Sequence, residues 1–318
     1  MLPKSRVISI VLLGLGVALL VAGIVTPQFL HASARLPLDL TGATYTLTDE
    51  DGTALKRSEE GTEEYNGPVT YQMHVDVQDP SDAQNATVSI GESTFRGFGD
   101  DGAIENLVQA QIWNYSIDRI TGEATSEADI SYQLASPMTT SAVDGYWFKF
   151  PSDAAKTTYP AYDPTLRAAR DAVFEEELEV DGRTVYRYHQ EIEPVNVATL
   201  YAGAFNTTQL ETEDGGTEAG YLFHSGTREL YVDQETGLLI GMDVDIHDYY
   251  ADREGNADHD ALVLNASSTD EDRAAMLAQA AEVPKESTAR NVRLGLLIGG
   301  GILAVLGLVG TFWPRRKR

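Results

Sequence analysis

The chain has 318 residues, and 23 Lys+Arg against 49 Asp+Glu leave a formal net charge of −26. It contains no cysteine, which excludes a disulfide framework, a thiolate nucleophile and cysteine-ligated zinc sites. A composition of 42% hydrophobic and 23% charged residues is that of a folded protein, and so acidic a chain lacks the clustered Lys/Arg that nucleic-acid binding requires.

Charge is segregated along the chain. Every Asp and Glu lies between Asp39 and Glu286, whereas Lys4 and Arg6 near one end and Arg315, Arg316, Lys317 and Arg318 at the other are basic. Just inside the first basic end, the apolar run Val7–Val25 is long enough to cross a hydrocarbon core as a helix. Residues 1–6 are therefore read as a cytoplasmic N-terminus and 7–29 as a transmembrane helix. Lys4 and Arg6 with Ala32-Ser33-Ala34 imitate a signal peptide, but the apolar stretch exceeds an ordinary signal core. The segment is read as an uncleaved anchor.

Residues 30–290 are read as one extracytoplasmic, mainly β (α+β) domain. Polar residues alternate with β-branched and aromatic ones over 44–48, 69–77, 111–117, 146–150, 185–192 and 242–246, the pattern of half-buried strands. The expected architecture is a large antiparallel sheet with a few short helices, either open or closed into a barrel. Asp181-Gly182 reads as a two-residue hairpin turn, and Asp118–Gly122 and Asp233–Gly237 share the form Asp-x-x-Thr-Gly, with glycine in the left-handed position. Helices are expected over 164–173, with Leu166, Ala169 and Val173 on one face, and over 273–283, after the capping box Ser268-Thr269-Asp270-Glu271 and before Pro284. The second apolar run gives a transmembrane helix over 293–313, followed by the basic cytoplasmic tail 314–318. Basic residues at both extremes place both termini in the cytoplasm and the acidic middle outside, with Phe312 and Trp313 at the inner interface. Small residues at Gly14, Ala18 and Ala22, and at Gly295, Gly299, Gly300 and Ala304, recur at helical spacing, so the spans are expected to pack together or to mediate a homo-oligomer.

Chemistry-bearing motifs are few. The sequence has no Gly-x-Ser-x-Gly elbow, no His-Glu-x-x-His and no phosphate-cradling Gly-x-x-x-x-Gly-Lys loop. His31, His74, His189, His224, His247 and His259 are scattered singly and read as structural or surface residues. Asp252, Glu254, Asn256, Asp258 and Asp260 surround Gly255, with Asp243, Asp245 and Asp248 upstream, a pattern that invites Ca²⁺. The glycine is misplaced for an EF-hand, however, and Asp243 and Asp245 alternate with apolar residues, so the cluster is read as acidic surface. No metal, cofactor or catalytic residue is assigned. Asn85, Asn114, Asn206 and Asn265 head glycosylation sequons. Lys149 and Lys156 stand among Tyr146, Trp147, Phe148, Phe150, Tyr159 and Tyr162. Their bland reading is a set of core aromatics with lysine stems reaching out to water.

Leu36-Pro37-Leu38-Asp39, Phe148-Lys149-Phe150-Pro151, Lys156-Thr-Thr-Tyr159-Pro160-Ala-Tyr162-Asp163 and Gly182-Arg-Thr-Val-Tyr186-Arg187-Tyr188, together with the first span, resemble the actinobacterial envelope family of PorA-type porins. The resemblance covers essentially the whole chain and implies a membrane protein of the cell envelope, with no catalytic residue to carry over. The layout of two spans around one β-rich ectodomain also resembles the class B scavenger receptors, whose ectodomain encloses an apolar tunnel for lipids. From these likenesses the expected function is binding or transfer of lipid or other hydrophobic molecules, beside the bilayer as partner. Tyr146, Trp147, Phe148, Phe150, Tyr159 and Tyr162 are the expected ligand-binding residues. An oligomeric channel and a non-enzymatic envelope scaffold are the alternatives. Alternation along 146–150 sends Trp147 to one face and Tyr146 and Phe148 to the other, so two sheltered apolar surfaces are expected.

Overall fold

The computed structural model describes residues 4–29, 34–40, 42–58, 61–99, 104–132, 138–212, 214–283 and 286–312. Ala32-Ser33 of the cleavage-like sequence, Pro284, Trp313 and the basic tail 314–318 lie outside them. The chain forms two compact units, Met1–Ala34 with Pro284–Arg318, and Arg35–Val283.

The first unit is a pair of helices, α1 (Lys4–Phe29) and the helix Glu286–Phe312. Their stretches Val7–Val25 and Val292–Thr311 are each long and apolar enough to cross a membrane. The pair closes on glycine. A Cβ on Gly16 would collide with the backbone of Ala304 and Gly300, and one on Gly307 with the backbone of Leu13. The small residues that meet are therefore Gly16, Gly300, Ala304 and Gly307. Gly14, Gly295 and Gly299, expected at the contact, have open space around them. Gly14 and Gly16 are two residues apart, which at 3.6 residues per turn puts them on opposite sides of the helix.

The second unit is one antiparallel sheet. Its strands are β1 (Ala43–Ser58), β2 (Gly61–Gln78), β3 (Asn85–Arg96), β4 (Leu107–Asp118), β5 (Ala128–Ser131), β6 (Thr139–Ser141), β7 (Tyr159–Asp163), β8 (Ala168–Val180), β9 (Arg183–Asn196), β10 (Thr207–Glu211), β11 (Thr217–Asp233), β12 (Leu239–Ala251) and β13 (Ala257–Ser267). They run in the order β6-β5-β4-β3-β2-β1-β13-β12-β11-β9-β8-β7, with β10 paired to β11. The unit is mainly β as expected, but its sheet is open, with β6 and β7 at the two ends of the strand order, so the barrel alternative is not what forms. Inward rows of side chains build the core. Ala86, Val88 and Ile90 of β3 and Trp113, Tyr115 and Ile117 of β4 are all buried at alternate positions.

The expected strand over 146–150 is instead an irregular crossing held by isolated bridges, Tyr146 to Ala161 and Lys149 to Leu238. Both Asp-x-x-Thr-Gly turns grip it. Gly122 and Gly237 have φ of 79° and 70°, and a Cβ on the first would collide with the Lys149 carbonyl oxygen, on the second with those of Phe150 and Pro151. Phe150 N–H donates to Gly237 O at 2.7 Å, and Ser152 N–H donates to Ile120 O at 2.9 Å. With its backbone bonds going to two separate turns, the segment makes isolated bridges rather than a continuous ladder. Contrary to the expectation from sequence, Lys149 does not reach out to water. It is 1% exposed, and its ammonium donates to Ile120 O at 3.0 Å and Phe150 O at 2.5 Å. Burial pushes its pKa down to about 7, against the attraction of Asp118 and Asp233. Lys156 is the exposed one, paired with Glu177 at 2.8 Å.

The helix expected over 164–173 is also absent. Asp163 Oδ1 accepts the Leu166 N–H at 2.7 Å, a side-chain-closed turn, after which Ala168 enters β8. The partner strands β7 and β9 overrule the local helical periodicity. α2 spans Asp270–Glu282, and its cap is Thr269, whose hydroxyl accepts the Asp272 N–H at 3.1 Å. Ser268, the expected cap, spends its hydroxyl in the sheet, accepting the Met242 N–H at 2.8 Å. The helix Glu286–Phe312 is α3. The hairpin at Asp181-Gly182 forms as read, with φ of 49° and 76°.

Candidate ligand-binding cavity

The inward rows do not fill the space they enclose. A cavity of about 370 Å³ remains within the second unit, in the size range of small-molecule sites. One wall is apolar, from Leu230 of β11, Leu239, Met242, Val244 and Ile246 of β12, and Leu262 and Leu264 of β13. Trp147 and Tyr162 close it, with their rings 5.4 Å apart and Trp113 edge-on to Trp147 at 5.3 Å.

The other end is polar because the same inward rows change chemistry. On β3 the row Ala86, Val88, Ile90 continues to Glu92. Glu92 pairs across the sheet with Gln111 of β4 and Met73 of β2. Tyr71 of β2 donates its hydroxyl to Glu92 Oε1 at 2.5 Å, and Gln111 donates Nε2–H to Oε2 at 2.7 Å. On β12 the row Met242, Val244, Ile246 continues to Asp248, which faces His224 of β11 across the ladder, with Nδ1 and Oδ1 2.5 Å apart. His224 Nε2 lies 3.3 Å from Asp163 Oδ2, and the Arg228 guanidinium pairs with the same carboxylate.

The charges at this end settle one another. Burial disfavours charge on His224, but Asp163 and Asp248 outweigh it and raise its pKa to about 10, so the ring is an imidazolium. Burial likewise opposes ionisation of Asp163, and Arg228 and His224 reverse this and hold its carboxyl well below the usual range. Glu92 has only neutral donors in contact, and desolvation pushes it up to about 7. Its folded-state pKa is raised, so its stabilising contribution is complete below pH 4.5 and is lost as pH rises through 7. Glu92→Gln, which cannot ionise, should gain on wild type by about 2–4 kcal/mol between pH 5 and pH 8 in chemical denaturation. Parallel pH profiles would contradict the placement of Glu92.

Of the residues singled out from sequence, Tyr146, Trp147 and Tyr162 line the cavity. Phe148 and Phe150 are buried in the surrounding core, with Phe150 stacked on Tyr188 at 5.7 Å and Tyr159 edge-on to both. Sequence reasoning missed Glu92, Arg228 and His224. The acidic segment read as a Ca²⁺ alternative is taken up internally. Asp252 accepts from Asn256 in a turn, Asp243 pairs with Arg273, and Asp248 holds His224. A different group, Glu175, His189 and Glu229, places potential metal-ligand atoms within 4.8 Å of one another, and Arg187 is ion-paired to both of its carboxylates. Asn206 is 4% exposed and donates its amide to Tyr201 O at 2.8 Å, so this sequon is closed to a glycan in the folded domain.

The profile of the porin PorA family matches residues 8–309, nearly the entire chain. The chain belongs to the porin PorA family. It is similar to a porin PorA of Corynebacterium amycolatum, 27% identical over 285 residues that cover 77% of this chain and 72% of that protein. A porin PorA of Corynebacterium resistens is 22% identical over an alignment covering 98% of each chain. Family membership and the two apolar helices together fit a membrane protein.

Proposed function

We propose that this porin PorA family member binds a hydrophobic molecule in the cavity of its β domain and takes it from, or passes it to, the bilayer in which α1 and α3 are anchored. The observation that carries this reading is the cavity itself: an apolar wall on β11, β12 and β13 facing a polar end at Glu92, which is what an amphipathic molecule requires. Transfer of each buried CH₂ from water is worth about 0.8 kcal/mol, so a short aliphatic chain is enough for measurable affinity. No catalytic role belongs to this reading. A channel, as the relatives' name says of them, is the second reading, and Gly14, Gly295 and Gly299, with open space around them, are the positions that favour it as seats for the helices of further copies.

The test is extraction of lipid from full-length protein purified from an actinobacterial host, followed by mass spectrometry. Wild type is expected to carry about one amphiphile per chain, and Val244→Trp, which fills the cavity from its apolar wall, much less. Equal loads in both proteins would overturn the reading.

The same proposal includes orientation, with both termini cytoplasmic and Arg35–Val283 outside, on the basic ends and the acidic middle. Because the chain has no cysteine, single replacements report sidedness cleanly. In intact cells a membrane-impermeant maleimide should label Glu179→Cys, on the exposed end of β8, and should label Lys317→Cys only after permeabilisation. The reverse pattern would invert the topology.

A further inference from the structure

We infer that the polar end of the cavity selects a cationic head, so that the ligand is an amphiphile carrying a protonated amine rather than a carboxylate or phosphate. This deepens the hydrophobic-ligand reading and rests on it. The first ground is charge balance among the groups facing the site from each element around it. Arg228 and His224 of β11 are both committed to Asp163 of β7, and His224 also to Asp248 of β12. These two cations and two anions cancel. Glu92 of β3 touches Tyr71 of β2 and Gln111 of β4, both neutral, and has no ion-pair partner among the described residues. Arg167, the other guanidinium near this end, is not part of the lining and stacks 3.7 Å over the ring of Tyr201 on the cavity wall, so an incoming anion finds no uncommitted positive charge among the lining residues, whereas an incoming cation finds a buried carboxylate that lacks a counter-charge.

The second ground is independent of Glu92. Gln190 of β9 lines the same cavity and is fully buried. Its Nε2 spends both hydrogens, on Ala161 O at 2.9 Å and Arg170 O at 3.1 Å, which fixes the orientation of the amide. Oε1 is left without a hydrogen-bond partner. A buried acceptor without a donor is costly, and an N–H on the ligand head satisfies it while a carboxylate does not. Tyr132, also on the cavity wall, has a hydroxyl without a partner that can accept in the same way. The head implied by these groups brings several donors and one positive charge, which describes an ammonium.

Binding then couples to a proton. An amine that stays protonated across the pH range binds to the ionised form of Glu92, so its affinity rises as that group loses its proton. The experiment uses the full chain held in an amphipathic polymer, titrated calorimetrically with octylamine, octanol and octanoate at pH 6 and pH 8. Octylamine is expected to bind best at pH 8 and to weaken about tenfold at pH 6, while octanol shows no such dependence. Glu92→Gln should abolish both the amine preference and its pH dependence. If octanol binds and octylamine does no better, or octanoate binds best, the cationic-head inference is wrong and the hydrophobic cavity stands. If none of the three binds, both readings fall. The wild-type pH series decides the point without any substitution.

Discussion

Gly237→Val is expected to leave the β domain unfolded or destabilised by more than about 3 kcal/mol, whereas Gly182→Val should cost about 1–2 kcal/mol. Both glycines have positive φ, 70° and 76°, so both substitutions carry left-handed strain. Only Gly237 adds a collision, because its Cβ would enter the carbonyl oxygens of Phe150 and Pro151, while a Cβ on Gly182 would point into open space. The difference between the two variants, read by urea denaturation of the same protein, isolates the contact that pins the crossing of residues 146–154 to the β11–β12 turn. That crossing carries Trp147 to the cavity beside Trp113, so the loss of stability should be accompanied by a red shift of the fluorescence of these two buried tryptophans. Equal costs at the two positions would mean that the turn does not grip the crossing.

Asp163→Ala is expected to destabilise the domain by about 3–5 kcal/mol. The carboxylate is fully buried, pairs with Arg228 and His224, and closes the turn into β8 through the Leu166 N–H. Removing it leaves the buried His224 with Asp248 alone and takes from the partly buried Arg228 its ion-pair partner. The sign of the pH dependence follows. His224 has its pKa raised to about 10, so its contribution is complete below pH 6.5 and fades as pH rises through 10. Asp163 is held low, so its own contribution is present above its ordinary pKa of 3.8 and is lost only in strong acid. The deficit of the variant should therefore be greatest between about pH 4 and 6.5 and should shrink in alkali. A deficit that grows with pH would contradict the assignment of an imidazolium.

The strand rows were legible from alternation, and the Asp-Gly and Asp-x-x-Thr-Gly turns from their chemistry, because both depend on nearest neighbours in sequence. The turns even contained the His224–Asp248 pair. A hairpin centred on Asp233–Gly237 aligns Tyr231 with Gly241, and the same ladder brings His224 opposite Asp248. Reading the histidines singly hid it. Glu92 was legible too, as the next inward position after Ala86, Val88 and Ile90, had the row been followed past its apolar part. What local reasoning could not supply was the conformation of residues 146–150 and 164–167. There the decisive bonds are to residues far away in sequence, at Ile120, Gly237 and Leu238, or to a turn that Asp163 closes against the local helical period. The same limit explains why Phe148 and Phe150 were grouped with Trp147, since a regular strand and a twice-anchored crossing distribute the same aromatics differently.

Photocrosslinking reports whether the space bounded by Val244 and Leu264 receives a ligand. A photoreactive phenylalanine analogue is placed at Val244, which lines the cavity, and, as control, at Val173, which is 49% exposed on β8. After irradiation in the living host and intact-mass analysis of the full chain, a small-molecule adduct is expected at position 244 and none at 173. Identical spectra from the two positions would contradict it.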